Sequence, residues 1–420
     1  MKGPWGRMQD DTQAGTLAFG RWALFSCVIG VAVGTAGAGF HHAVAFATAA
    51  RQAHPALLFG LPLAGLLIVW LYRVCDLARD GGTNLVLISV RDNAPIRFRV
   101  APLIVIATTL THLFGGSSGR EGAALQLGSA ISATIGRGMG LDEKDERVIK
   151  MCGMAAGFTA LFGTPLAATV FAMEVVSVGV MYYAAFFPCL LSAMAALLTA
   201  RALGGAPETF TLRDVPALDL GAVARVIVLG LLCALVAILF CRVFGIIHRF
   251  YARYLPNPYL RAFAGGCIVI VLTLLLGTRD YNGAGMQVIA HAFAGEARPE
   301  AFFVKMVLTA LTLGAGFKGG EIVPAFFVGA TFGCFYGPYL GLSGSFAAGV
   351  GLTAVFCGVT NCPLTSILLA FELFGGEGLS LIALGCAVSY MLSGYSGLYS
   401  AQRIVYSKLR AEYVARQSGH

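Results

Sequence analysis

Glu121 stands where a flexible polar loop turns into an apolar segment. Residues 115–130 read GGSSGREGAALQLGSA, so glycine- and serine-rich backbone leads straight into a helix-forming run. A helix N-terminus presents unpaired N–H groups and the positive end of the helix dipole, which together make an anion site. An ionisable side chain in an apolar setting is costly and points to function. A carboxylate here can mimic an anion, occupy its site and leave on protonation. A helix-capping glutamate at a lipid–water rim has the same local sequence, and the residues alone leave both readings open.

A second segment repeats the pattern. Residues 314–333 read GAGFKGGEIVPAFFVGATFG, again a glycine-rich loop before a helix. The backbone at Gly319 and Gly320 is free to aim amides at a ligand. Lys318 and Glu321 are close charges in an apolar setting. The competing reading is a salt-bridged surface loop, which the flanking apolar density disfavours. Two further segments end in a glutamate, PLAATVFAME at 165–174 and PLTSILLAFE at 363–372. Glu174 and Glu372 are read as structural carboxylates that cap or pair at a rim. Residues 393–402, SGYSGLYSAQ, offer the phenols of Tyr395 and Tyr399 beside a glycine break. An aromatic belt at a membrane interface would look the same.

Nucleophilic chemistry is a weaker candidate. Gly116-Ser117-Ser118-Gly119 spells the GxSG of intramembrane serine proteases, and Ser117 or Ser118 would need a histidine base within hydrogen-bond reach. His112, His248 and His291 are the candidates, none placed convincingly inside an apolar run. The eleven cysteines are scattered, mostly in apolar runs, with no CxxC or Cys/His metal spacing. Neither cofactor nor metal is expected, and the chain is not read as an enzyme.

The elements that must hold these residues belong to a bilayer. Of 420 residues, 57% are hydrophobic and 12% charged, and mean hydropathy is +0.78. A soluble globular chain carries about 25% charge. Half that value excludes an ordinary cytosolic enzyme, a disordered tail protein and a nucleic-acid binder. A membrane helix needs roughly 20 apolar residues, which predicts about ten or more spans. The 54 glycines suit close helix packing in lipid. Several apolar runs are too long for one helix or are cut by Gly and Pro. Broken helices survive at membrane depth only when buried in protein or lining a cavity.

Basic residues recur between the runs: Arg73 and Arg79; Arg91, Arg97 and Arg99; Arg137, Lys144, Arg147 and Lys150; Arg403, Lys408, Arg410 and Arg416. The positive-inside rule places them, and both termini, on the cytoplasmic side of a cell (inner) membrane. The expected organisation is a polar lead over 1–18, an all-α transmembrane domain over 19–405 and a short basic cytoplasmic tail over 406–420, with no large soluble domain.

The transmembrane part repeats. Pro165 matches Pro363, Ala172 matches Ala370 and Glu174 matches Glu372 without gaps, while GREGAALQLG at 119–128 parallels GEIVPAFFVG at 320–329. Both offsets are about half the chain, giving halves at roughly 19–203 and 220–405. Paired interrupted helices in two halves point to a transporter site near the midplane. The sequence does not orient the halves.

GREG at 119–122, the PLAATVFAME helix, GGEIVP at 319–324, the second PL…E helix and LYSA at 398–401 occur in the order of the CLC chloride channel and transporter family, and nearly the whole membrane portion resembles it. The resemblance implies a homodimer in which each subunit has its own anion pathway, built as an inverted repeat of broken and tilted helices. It implies that Glu121 is the gating glutamate, that the amides of Glu321 and Ile322 face the ion, and that Tyr399 donates its hydroxyl, with Tyr395 in reserve.

Departures from the family pattern refine this. The first motif is replaced by Asp80-Gly81-Gly82-Thr83-Asn84, which removes its central serine, and GREGP becomes GREGA at Ala123. The position of the exchangers' cytoplasmic proton glutamate is Val175. These changes, with GFKGGE at 316–321, resemble the fluoride/proton antiporter branch. That likeness gives Glu321 a part in the proton route and the ion site, alongside Gly81, Gly82, Thr83, Asn84, Ile322, Val323 and Tyr399 as ion-binding candidates. Val323 stands where the branch carries Thr. The implied ligands are fluoride or chloride and protons. A passive channel, or a chloride/proton exchanger, is the alternative on the same scaffold.

Overall fold

The structure, a computed structural model, describes residues 4–420 except 79, 206, 207, 411 and 420; for 4–14 it describes only the backbone. Arg79, one of the basic residues used for the topology, lies outside the described residues.

The first half carries α1 (Pro4–Ala53), α2 (Leu61–Val74), α3 (Thr83–Asp92), α4 (Val100–Leu113), α5 (Glu121–Gly138), α6 (Glu143–Phe162), α7 (Pro165–Glu174), β1 (Ser177–Val178) and α8 (Phe186–Ala202). The second carries α9 (Leu220–Tyr254), α10 (Pro258–Leu276), α11 (Met286–Phe293), α12 (Ala301–Gly314), α13 (Ile322–Tyr336), α14 (Gly344–Thr360), α15 (Pro363–Phe374), α16 (Leu379–Leu392), β2 (Arg403–Tyr406) and β3 (Tyr413–Gln417).

Among the described residues, six helices are long and apolar enough to cross a membrane. That is fewer than the composition suggested. The difference lies in the broken runs: α7, α12, α14, α15 and α16 are apolar but have only 10–17 residues. Each ends where Gly, Pro or a polar turn interrupts it, so much of the apolar sequence forms half-length pieces. The polar lead is not a separate element, because α1 already begins at Pro4.

Two antiparallel contacts show that the halves are inverted. Glu174 at the end of α7 accepts from the N–H groups of Leu364 (3.1 Å) and Thr365 (2.9 Å) at the start of α15. Glu372 on α15 accepts from Leu166 (2.9 Å) and Ala167 (2.8 Å) at the start of α7. Proline opens each helix, and each glutamate neutralises the other's unpaired N–H groups. The second contact joins Gly119 and Gly320, which exchange backbone hydrogen bonds of 2.7 and 2.9 Å. Residues equivalent in the repeat therefore face each other across a pseudo-two-fold axis.

Glycine crossings repeat as well. A Cβ on Gly128 of α5 would lie 2.0 Å from the Gly153 carbonyl of α6, and one on Gly329 of α13 would lie 2.2 Å from that of Gly351 on α14. Any side chain there forces the helices apart.

One small sheet joins the helices. After the LYSA segment the chain runs extended, β2 pairing parallel with β1 and antiparallel with β3. The basic tail is thus folded back as β3. The edge of β1, just past α7, offers the unpaired backbone groups that take β2, and the outer edge of β2 takes β3.

This small sheet marks one face of the molecule. Arg91 donates to the Ala401 carbonyl (2.6 Å), and Arg21 pairs with Asp145 at 2.6 Å. The basic loops, the start of α1 and the sheet therefore lie together. From Arg21 to Arg51, α1 rises ~45 Å at 1.5 Å per residue, so Arg51 reaches the opposite face.

Candidate anion site at two helix N-termini

The loop before α5 is held on three sides. Ser117 N–H donates to Thr312 Oγ1 (3.1 Å), and its hydroxyl meets Thr309 Oγ1 at 2.9 Å. Ser118 N–H donates to Gly283 O (3.2 Å), and Gly283 N–H returns to Gly116 O (3.0 Å). Lys305, fully buried, donates to the carbonyls of Gly283 (2.6 Å) and Tyr281 (3.1 Å). With the Gly119–Gly320 pair, these bonds set α5 and α13 with their N-termini together.

Glu121 fills the gap between them. Its side chain is completely buried, and Oε2 accepts from the N–H groups of Arg120 (3.0 Å) and Val323 (3.3 Å). Oε1 has no hydrogen-bond partner; Arg120 Nε lies 3.9 Å from it. Arg120 is itself drawn to Glu208 (3.0 Å) and His41 (3.2 Å). The carboxylate oxygen thus sits where two sets of helix-terminal amides converge, the position suited to a small anion.

The amide that reaches Glu121 is that of Val323, one residue beyond the expected Glu321 and Ile322. Helix α13 begins at Ile322, so Val323 belongs to its first turn, whose N–H groups all point along the axis. Glu321 is half-buried and its carboxylate makes no side-chain hydrogen bond at the cap. Lys318 does not pair with it. Its ammonium goes instead to Asp80 (3.3 Å) and lies 4.2 Å from the Tyr72 ring centroid.

The replaced first motif borders the same place. Helix α3 starts at Thr83 after Gly82, whose φ of +60° suits glycine. Thr83 Oγ1 lies 2.9 Å from where a Cβ on Gly122 would be, against the first turn of α5. Gly82 faces Gln126 of α5, whereas Gly81 packs against Leu85 of α3. Asn84 Oδ1 accepts from Ala401 N–H (3.0 Å), which leaves its NH2 as a donor and ties α3 to the LYSA loop.

The two tyrosines separate cleanly. Tyr399 is buried, and among the described residues its hydroxyl has no hydrogen-bond partner. Tyr395 donates to Ser407 (3.2 Å) and lies under the Arg416 guanidinium. A buried phenol without a partner is costly, and an anion at the site would satisfy it.

Two polar residues were missed in the sequence. Lys305 is a lone lysine in the apolar run FFVKMVLTALTL, and that isolation was a usable signal. Gln402 is buried and bonds the carbonyls of Val175 (3.0 Å) and Thr360 (2.7 Å) and the Asn361 side chain (2.9 Å). Nothing in its local sequence distinguishes it. Among the described residues no histidine reaches a serine hydroxyl: His112 Nε2 faces Gly119 O at 3.3 Å, and His291 lies by Glu296.

A cavity of about 560 Å³ opens from Arg120 towards the face opposite the sheet. Arg51, Arg279 and His112 line it, against Glu208 and Asp280. Cations outnumber acids there, as suits anion passage.

The fold and site define a multi-pass membrane protein with an anion-type site at the junction of two inverted halves. The chain belongs to the voltage gated chloride channel family, whose sequence pattern matches residues 64–394. It is 37% identical over 395 residues to a chloride/fluoride channel protein of Pseudomonas syringae pv. tomato, covering 92% of this chain and 87% of that one. It is 26% identical over 304 residues to the H(+)/Cl(-) exchange transporter ClcA of Vibrio cholerae, covering 67% of this chain and 64% of that one. Among solved structures, a CLC-type fluoride/proton antiporter superposes with a TM-score of 0.89 at 34% identity, covering 91% of this chain and 98% of that one. A slow cyanobacterial Cl-/H+ antiporter shares the fold, with a TM-score of 0.78 at 21% identity over 89% of this chain and 94% of that one.

Proposed function

We propose that the chain is a fluoride/proton antiporter that exports fluoride across a cell membrane, working as a homodimer with one pathway per subunit. The observation that carries this reading is the Glu121 carboxylate seated between the first turns of α5 and α13. In that seat the carboxylate takes the place of the transported anion. Protonation neutralises it and weakens its hold on the amides, so an anion can displace it. The displaced, protonated side chain then carries a proton, which links the two movements.

The remaining groups have assigned roles. Val323 and Ile322 amides, the Tyr399 hydroxyl, Thr83 with Gly82, and the Asn84 amide replace water around the ion. Glu321 receives protons from the sheet side, where Val175 supplies no carboxylate. Fluoride is small and strongly hydrated, so a site rich in donors offsets more of its desolvation than one of bare amides. The basic face carrying the sheet is cytoplasmic by the positive-inside rule, which makes the arginine-lined cavity the outer mouth.

A passive anion channel is the second reading, favoured by Val175 and by Val323, which lacks a side-chain donor. One measurement separates them. Purified protein in liposomes is given a fluoride or chloride gradient, with ion-selective electrodes and an internal pH probe. The antiporter moves protons opposite to fluoride and discriminates against chloride. Fluoride flux without counter-movement of protons selects the channel.

A further inference from the structure

A second cavity, of about 370 Å³, lies on the sheet face. It opens between the end of α3, the first turns of α6 and the end of α7. Three cations border it: Arg91, Lys144 and Arg147. Its floor is apolar, formed by Met151, Met173 and Val176, all buried.

The charges there are unbalanced. Asp92 is held by Arg91 (2.7 Å), Asp145 by Arg21 (2.6 Å), and Glu146 lies 3.9 Å from Lys150. Asp142 is spent on capping α6 through Asp145 N–H. Among the described residues, Lys144 and Arg147 form no ion pair, and Glu143, one turn before Arg147, makes none with it. Two free cations and one committed cation thus face an apolar hollow.

The rim of the cavity has the aromatic composition of a bilayer interface. Tyr182 at its rim is 53% exposed and Tyr183 beside it 74%, followed by exposed Phe186 and Phe187 at the start of α8. Aromatic residues gather at that level of a bilayer. A ligand suited to this place bears a phosphate for Lys144 and Arg147 and an apolar portion for the methionines, which adapt to irregular shapes.

We propose that this cavity binds the headgroup and upper acyl chain of an anionic phospholipid of the cytoplasmic leaflet. The same site adjoins the LYSA loop, because Arg91 donates to Ala401 O.

The test reads lipid binding, not transport, so it stands or falls apart from the antiport reading. Full-length protein in detergent is titrated with phosphatidylglycerol or phosphatidylcholine and followed by native mass spectrometry. Phosphatidylglycerol is expected to be retained well above phosphatidylcholine. The Lys144→Gln/Arg147→Gln double variant should weaken its retention about 30-fold, from about one kcal/mol per juxtamembrane cation. Arg253→Gln, distant from the cavity, should not change it. Both substituted side chains of the double variant are exposed, so folding is checked simply by an unchanged monodisperse profile. Equal retention of the two lipids, or of phosphatidylglycerol by the double variant, overturns the proposal. Displacement of the lipid by low-millimolar inorganic phosphate reassigns the site to phosphate alone and overturns the lipid.

Discussion

Glu121 carries its carboxylate into a fully buried place, and the amides of two helix starts receive it. Glu121→Gln removes the titrating group while keeping the shape. It is expected to abolish proton movement in liposomes while leaving anion flux, which an electrode and a pH probe resolve in one experiment. Val323→Thr adds a hydroxyl beside the amide that holds Glu121, at nearly constant volume. The expected result is a higher fluoride-to-chloride flux ratio, by a few fold, since an added donor favours the more strongly hydrated ion. Lys305 acts at one remove. Its ammonium fixes the Gly283 carbonyl that receives Ser118 N–H, so it positions the loop before Glu121. Lys305→Met leaves two buried carbonyls short of a donor, at about 3 kcal/mol, and should lower both the thermal midpoint and the anion flux.

The short helices α7 and α15 stand on each other's glutamates. A capping substitution costs about 0.5–2 kcal/mol. Glu174 accepts a further bond from the Thr365 hydroxyl at 2.6 Å, which Glu372 lacks on α7. Glu174→Ala should therefore destabilise more than Glu372→Ala in thermal unfolding in detergent. The C-terminal strand is a second element with work to do. Ser418 is buried against Gly397, its N–H donates to Gln402 O (2.9 Å), and Gly419 N–H reaches Tyr395 O. Lys408 Nζ plugs the end of α14 by bonding the Asn361 side chain, with Ser393 Oγ at 3.1 Å. Ending the chain after Lys408 removes β3 while keeping that plug. Fewer protons should then move per anion, as the loop bearing Tyr399 loosens.

At the scale of the whole molecule, inversion turns one sequence pattern into two mouths. The repeat brings equivalent helix N-termini to a common point, and their outer ends reach opposite faces. Sidedness can be measured directly. In sealed vesicles with native orientation, Gln287→Cys should react with an impermeant thiol reagent from outside, and Arg416→Cys only from within. The reverse pattern would place the basic sheet face outside and invert the direction assigned to export. The exposed leucines and phenylalanines along α1, α2, α9 and α10 leave apolar faces that the chain itself does not cover. The mass of the detergent-solubilised particle decides how many copies associate.

The bilayer, the repeat, the helix starts at 121 and 322 and the special standing of Glu121 were legible in the sequence. Each depends on local pattern: apolar run length, glycine before a helix, or a charge isolated among apolar residues. The pairing of Lys318 with Asp80 and the reach of Val323 N–H to Glu121 were not, and Tyr399 was preferred to Tyr395 only through the family resemblance. These rest on contacts between residues far apart in the chain, where a shift of one residue changes which group faces the site. The repeat by itself did not orient the halves, since a repeated sequence reads the same whether its copies are parallel or inverted; inversion was implied only by the family resemblance. Only the packed structure, with each glutamate capping the other's helix, decided it.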